Sequence, residues 1–395
     1  MHQGFVRHLR LYCVLGAALG LSSCGPDAQG ANSFPPAAER RRMAATPVEW
    51  GVSDSSVEFS HITALDVDRS GRVYVADFYR QQVTVLSPRG GFVRRFGRRG
   101  SGPGEFRAIR GIQVIGGDSL LVYDPSLARV SVYAPNAAAP TYTVDLGPRL
   151  EGGAPFFLWR LPNQQRYVAL FRPPFMFVDG KTDLDRRDIV RVLDGTGARV
   201  AEIVSFPSRS FLISGTSLTP NPFGREGIVQ LTSAGEIAYL WTDSVTITTR
   251  SPEGRPLASV RVPHQAPRVS GDDVEREAVR LREDGLPAAF EQVVADSAPD
   301  RWPAATDLIA DHEGNLFVGL SGEAGSPVEW VGFRGGRYFL SVFLPPDEKL
   351  RAVRLPLLFV ERRDELNVPR VVIYRIEQRS GSGRSSVNLE KETIR

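Results

Sequence analysis

Hydrophobic residues in this chain fall into many short runs separated by clusters of Asp, Gly, Ser and Pro. The pattern is clearest between Ile62 and Tyr133. There, a turn spanning Asp68 to Gly71 leads into Val73-Tyr74-Val75-Ala76-Asp77, and Val83 and Val85 then alternate with Gln82 and Thr84. The same order returns as Gly117-Asp118, Leu120-Leu121-Val122-Tyr123-Asp124, and Val130 and Val132 alternating with Arg129 and Ser131. A short unbroken apolar run between turn residues predicts a strand buried on both faces, and strict alternation predicts one that is half buried. Asp77 and Asp124, Val83 and Val130, and Val85 and Val132 are each separated by 47 positions. Such a unit cannot cover both faces by itself, so neighbouring units must pack on one another.

A period of roughly 40 to 50 residues with several strands per unit is the signature of propeller blades, which bury their faces by packing around an axis. The outline continues in Ile189-Val190-Arg191-Val192-Leu193, in Ile237-Ala238-Tyr239-Leu240 with Val245 and Ile247, and in Leu316-Phe317-Val318 after Asp311 and Gly314. Leu357 to Val360 and Val371 to Ile376 form a last hairpin, giving six blades of which the sixth is short of strands. Val48-Glu49-Trp50 is the expected closing segment. Between Ser270 and Asp296 the period becomes helical, with capping residues Ser270 and Asp272 and apolar Val274, Ala278 and Leu281 on one face. The expected organisation is an export signal over 1–23, a flexible tether over 24–46, a propeller over 47–378 with a helical insertion at 270–296, and a disordered tail over 379–395.

These residues resemble NHL repeats, whose blades carry a Gly, a Val-Tyr-Val-type strand, an Asp and an Arg-Val-x-Val-type strand. Gly102-Pro103-Gly104-Glu105-Phe106, between the two matching units, is similar to the connector of that family and of bacterial six-bladed propeller lipoproteins. Two blades match closely and the rest match in outline. The resemblance implies an all-β, six-bladed β-propeller interrupted by one helical insertion.

Composition agrees with a folded domain: 42% of the 395 residues are hydrophobic and 24% are charged, while 38 Gly and 29 Pro suit a chain with frequent turns. The formal charge of +3 includes Arg7 and Arg10, which leave with the expected signal, so acid and base then balance to within a single charge. Arg is interleaved with Asp and Glu throughout, which excludes the basic stripe that a nucleic-acid binder requires.

The N-terminal segment carries Arg7 and Arg10, then an uncharged apolar stretch from Leu11 to Leu21, too short to span a bilayer. It ends in Leu21-Ser22-Ser23-Cys24-Gly25, which resembles a bacterial lipobox. The resemblance implies lipidation of Cys24, cleavage just before it, and attachment to membrane through that anchor. The other cysteine, Cys13, lies within the signal, so the mature chain cannot form an internal disulfide. Gly25, where an inner-membrane retention signal would carry Asp, points to an outer-membrane lipoprotein facing the periplasm or the cell surface.

Candidate chemistry is sparse. Asp66, Asp68, Ser70, Gly71 and Asp77 have the spacing of a calcium loop, but the Val73–Ala76 strand stands where helical flanks are needed, so Asp-stabilised turns are the expectation. His61, His264 and His312 are the histidines left after processing. Propeller lyases and lactonases, which this fold resembles, hold a metal at the channel mouth. His61, just before an inner strand, is the candidate to face the axis. Tyr79 and Arg80, in the turn after Asp77, are ligand-binding candidates on a propeller face. The aromatic runs Phe156-Phe157-Leu158-Trp159 and Phe171 to Phe177 are expected mainly to fill space between blades two and three. No nucleophile elbow, paired cysteine motif or zinc-binding helix occurs, and no catalytic residue is assigned. The leading expectation is a membrane-tethered, extracytoplasmic binding or scaffold module for an envelope protein, peptide or glycan, with no cofactor. The alternative is a metal-dependent lyase or lactonase using calcium or zinc at the channel mouth.

Overall fold

The computed structural model describes residues 34–48, 57–173, 177–178, 181–182 and 186–378. The expected signal, Cys24 and the 379–395 tail lie outside the described residues. Strands pair into six four-stranded blades, two of them joined in one eight-stranded sheet, and the chain is a six-bladed β-propeller. The innermost strands, in blade order, are Ile62–Val67, Gly111–Ile115, Phe157–Arg160, Gly227–Leu231, Ala305–Ala310 and Lys349–Arg354. Buried residues of adjacent blades form shared clusters, as Tyr74, Val83 and Val85 of blade 1 do with Leu120, Val122 and Tyr133 of blade 2. The fully buried strand Val73–Asp77 and its counterpart Ser119–Asp124 supply the apolar faces read from the 47-residue repeat.

Closure differs from expectation. Arg42–Pro47 is the fourth strand of blade 6, antiparallel to Pro369–Gln378, with Met43 opposite Gln378 and Pro47 opposite Tyr374. It also runs parallel to Arg337–Leu344 of blade 5, so that the two blades share one eight-stranded sheet. The closing segment therefore falls within the span read as tether, and the ordered part begins earlier still. Phe34 lies edge-on to Tyr338 at 5.3 Å, while Arg40 covers Phe34 at 4.5 Å and pairs with Glu329 at 2.7 Å. Arg-Met-Ala-Ala-Thr-Pro is only partly buried and has no apolar alternation, so the sequence pattern does not mark it as a strand. Of Val48-Glu49-Trp50, Val48 continues the pairing by donating to the Ile373 carbonyl at 2.8 Å, and the other two residues lie outside the described set. Lys349–Arg354 and Arg42–Pro47 complete the sixth blade, which is not short of strands.

The chain treats its two faces differently. At the face where innermost strands end, hairpins close by one repeated device: the Asp68, Asp194 and Asp311 carboxylates each accept backbone N–H groups two and four residues ahead, and Asp364 repeats it on the other face, in the turn between the second and third strands of blade 6. The residue three ahead has positive φ, Gly in three of these turns and Asn367 in the fourth, because the turn requires a left-handed backbone. Thr232 and Ser251 hydroxyls play the same part.

At the face where innermost strands begin, an Asp latches the incoming segment. Asp77 accepts from the Ser60 N–H at 2.7 Å, and Asp124 accepts from the Arg107 and Ala108 N–H groups at 2.6 and 3.2 Å. The Gly-rich connector lies on this face. A Cβ on Gly97 would come within 2.8 Å of the buried Phe106 ring, and Glu105 accepts from Gly102 N–H at 2.8 Å, so the connector is a self-bonded turn.

All the large insertions also sit on this second face. They are the hairpin Phe177–Val178 with Lys181–Thr182, the hairpin Phe211–Ser214 with Ser217–Pro220, and helices α1 (Gly271–Glu283) and α2 (Phe290–Ser297). Ser270 caps α1 in a reciprocal capping box with Asp273. Leu281, Phe290 and Val294 of the helices pack on Leu212 of the second hairpin and on Phe223, with Phe223 and Trp302 at 4.8 Å.

Candidate functional site

The residues at the start of each innermost strand surround one mouth of the axis, on the face that carries the insertions. The sequence-predicted candidates gather there. His61 lies immediately before Ile62, with Tyr79 edge-on at 5.7 Å and Phe78 at 6.1 Å. Tyr79 is 64% exposed, which leaves its ring open to a ligand. Arg80 turns back toward Glu58 at 3.7 Å and Asp77 at 3.8 Å, so it braces the loop. Burial lowers the His61 pKa despite the nearby Glu361 carboxylate, and Arg351 adds to the effect.

Charged residues that the sequence reading did not single out complete a collar around this mouth, one blade handing on to the next. Arg110 of blade 2 lies over Phe156 of blade 3 at 4.3 Å, and Arg172 of blade 3 lies over the same ring at 4.7 Å. Arg172 pairs with Asp188 at 2.7 Å and with Glu226 of blade 4 at 3.4 Å. Glu226 and Asp307 of blade 5 repel one another, and Asp307 is attracted by Arg351 and Lys349 of blade 6. Arg351 donates to Glu361 at 2.8 Å and to the Ile62 carbonyl of blade 1 at 3.1 Å, which brings the collar back to His61.

The collar perturbs its members. Asp307 borders the channel but is ringed by protein, and this desolvation pushes its pKa up to about 6 against the help of its hydrogen bond from Leu308 N–H. Lys349 is exposed at the mouth, yet desolvation by the surrounding protein, followed by repulsion from Arg351, lowers its pKa. Arg110 is disfavoured as a cation by burial and then by Arg172. Perturbed groups gathered at one mouth make it the candidate functional site. Deeper in the channel, Asp66 is pushed up to about 6 by desolvation, while its two oxygens accept from Val67 N–H at 2.7 Å and Val114 N–H at 2.6 Å.

The other candidates do not converge. His264 bonds to the Ser321 carbonyl at 2.9 Å, and His312 sits in a turn of the opposite face beside Arg354. Among the described residues no three His, Cys, Asp or Glu side chains are grouped so as to hold a metal ion. In the calcium-like stretch, Asp68 is used by Ser70 and Arg72, and Asp77 by Ser60 and Arg80. Turn bonding therefore accounts for both carboxylates.

One usable signal was present in the sequence: a charged residue inside a short apolar inner strand, as in Ala-Thr-Asp307-Leu-Ile-Ala and Lys349-Leu-Arg351-Ala-Val-Arg354. Phe156 departs from the expectation of filler, because it lies at the mouth between two guanidinium groups; Leu158 and Phe171 do fill space between blades two and three, whereas Phe157 and Trp159 pack between blades three and four.

Comparison with known proteins agrees with the fold. A family described as "6-bladed beta-propeller" matches residues 53–146. No curated protein matches the chain by sequence. Among solved structures, a Bacteroides fragilis protein described as exported shares 13% identity over 85% of this chain and 95% of its own, with a TM-score of 0.49. A luciferin-regenerating enzyme shares 11% over 88% of this chain and 100% of its own, with a TM-score of 0.46. Virginiamycin B lyase from Staphylococcus aureus shares 9% over 85% of this chain and 99% of its own, with a TM-score of 0.42. Likeness at this level carries no argument about function.

Proposed function

We propose that the chain is an extracytoplasmic binding module, tethered to membrane through lipidated Cys24, whose collared mouth engages a peptide or glycan of the cell envelope. The observation that carries this reading is the collar itself. All six blades contribute to it, several of its members are held away from their ordinary protonation behaviour, and it occupies the face on which every large insertion is placed. Long loops on a rigid scaffold are where binding residues concentrate, whereas the opposite face is closed by tight turns whose carboxylates are already bonded. Tyr79 and His61 add an open aromatic surface at the rim. Among the described residues no helix is long and apolar enough to cross a membrane.

A metal-dependent lyase or lactonase would need donors from several blades to meet, and His61, His264 and His312 lie apart. The test is an array of peptides and oligosaccharides probed with the full chain and with Tyr79→Ser and Lys349→Met variants. Selective binding that either variant weakens supports the module. Binding indifferent to both substitutions, or turnover of an arrayed compound, contradicts it.

A further inference from the structure

From blade 2 to blade 4 the collar is joined by direct contacts. Arg110, half-buried immediately before the innermost strand of blade 2, lies over the Phe156 ring at 4.3 Å, and Arg172 lies over the same ring at 4.7 Å. Arg172 reaches Asp188 at 2.7 Å and Glu226 at 3.4 Å, and Glu226 also pairs with Arg209 at 3.8 Å. Arg186 ties this frame together by donating to the Pro173 and Arg209 carbonyls, both at 3.0 Å. Asp188 accepts in addition from the Ser208 hydroxyl at 2.6 Å, so both acids are taken. Arg110 is left without a counter-charge. Among the described residues its guanidinium makes no hydrogen bond or ion pair, its Nε is buried without an acceptor, and the charged group that acts on it is Arg172, another cation.

An arginine does not deprotonate, so the cation persists, and its enclosure without a partner is costly. A fold with no use for the charge would be better served here by an apolar side chain packed on Phe156. We propose that Arg110 is the seat of a ligand carboxylate, received edge-on at the mouth between blades 2 and 3. Phe156 covers one face of the guanidinium and leaves the terminal N–H groups at its edge, a planar fork that matches a carboxylate through two parallel bonds. Arg172 adds positive potential and is held in place by its own two acids. Asp188 and Glu226, just beyond it, oppose further negative charge, so the ligand presents a single carboxylate there and not a polyanion. Gln81, two residues past the exposed Tyr79, accepts from the Ile109 N–H at 3.0 Å, which joins the turn carrying that open ring to the residue before Arg110. This assignment rests on the collared mouth being the binding site.

A uronic acid and the free C-terminus of a peptide both present such a carboxylate. Calorimetry with the full chain would titrate glucuronate against its methyl ester, and N-acetyl-trialanine against its C-terminal amide. Binding of at least one acid, with its neutral counterpart about tenfold weaker or worse, is the expected result, and the acid that binds identifies the source. Arg110→Met should weaken that acid by roughly tenfold or more, whereas Arg98→Gln, on the exposed connector, should change nothing. A second readout needs no ligand. Arg110→Met should raise the Tm of the free chain by about a degree or more, because it removes an enclosed and unpaired charge, while Arg172→Met, which strands two acids, should lower it. A fall in Tm with Arg110→Met would show that the arginine is kept for packing and overturn the proposal. So would equal binding of acid and neutral forms, or binding of neither acid, and those comparisons use the unaltered chain. A neutral array ligand that depends on Tyr79, with both acids rejected, would leave the mouth as the site and overturn the carboxylate.

Discussion

Asp307 and Asp66 show how the same residue type serves two purposes in one channel. Both have folded-state pKa values of about 6 against an ordinary 3.8, because protein replaces water around them. A raised folded value means that the fold holds the proton more tightly than the unfolded chain does. The stabilisation is therefore complete below the unfolded value, near pH 4, and is lost as pH rises through about 6. Part of each residue borders the channel, so the effect is at most about 2 kcal/mol per group. Asp307→Asn keeps the acceptor for Leu308 N–H and removes the enclosed charge. It should raise stability by up to about 2 kcal/mol at pH 8 and leave it unchanged at pH 4, as read by chemical denaturation at both values. Asp66→Asn should not show this gain, because both Asp66 oxygens accept backbone N–H groups and an amide would turn a donor toward one of them, costing about 1 to 3 kcal/mol. Equal gains from the two variants would show that burial of charge alone governs these sites.

At the scale of elements, legibility followed local chemistry. The turns at Asp68, Asp194 and Asp311 are spelled out as Asp, two residues and a Gly, and the strands that follow them are short apolar runs, so these hairpins were readable. Thr232-Ser-Ala-Gly235 was readable only through its strands, because a hydroxyl replaces the carboxylate. The innermost strand of blade 3 was hidden in an aromatic run without alternation, since its residues face blade neighbours and the mouth at once. The collar was less legible still. Its members come from all six blades, and only closure of the propeller brings Arg110 of blade 2 and Lys349 of blade 6 to one opening.

The closing strand escaped for a related reason. Arg42–Pro47 owes its conformation to the edges that it covers, with little contribution from its own apolar content. Removing the chain through Ser33 should leave thermal stability unchanged. Removing it through Pro47 strips the fourth strand from blade 6, exposes the edges of Pro369–Gln378 and of Arg337–Leu344 in blade 5, and should lower Tm by several degrees and promote association. Equal Tm values for the two truncations would mean that the closure contributes nothing.

For the whole molecule, the proposed function divides labour between ends and faces: a lipid on Cys24 would hold the protein at the membrane, one face is sealed by tight turns, and the face that carries the insertions would receive the ligand. Cys24→Ser should move the protein from the membrane fraction to the soluble fraction, since two or three acyl chains anchor stably and the substituted chain would carry none. Retention at wild-type levels would refute the lipid anchor. The central claim, that ligand enters at the collar, is tested most directly by hydrogen exchange of the full chain with and without the strongest ligand from the array. The account predicts protection concentrated in residues 58–61, 77–81, 107–110 and 347–351, all at the collared mouth. Protection centred instead on the opposite turns, 68–72, 194–198 and 311–315, would contradict it.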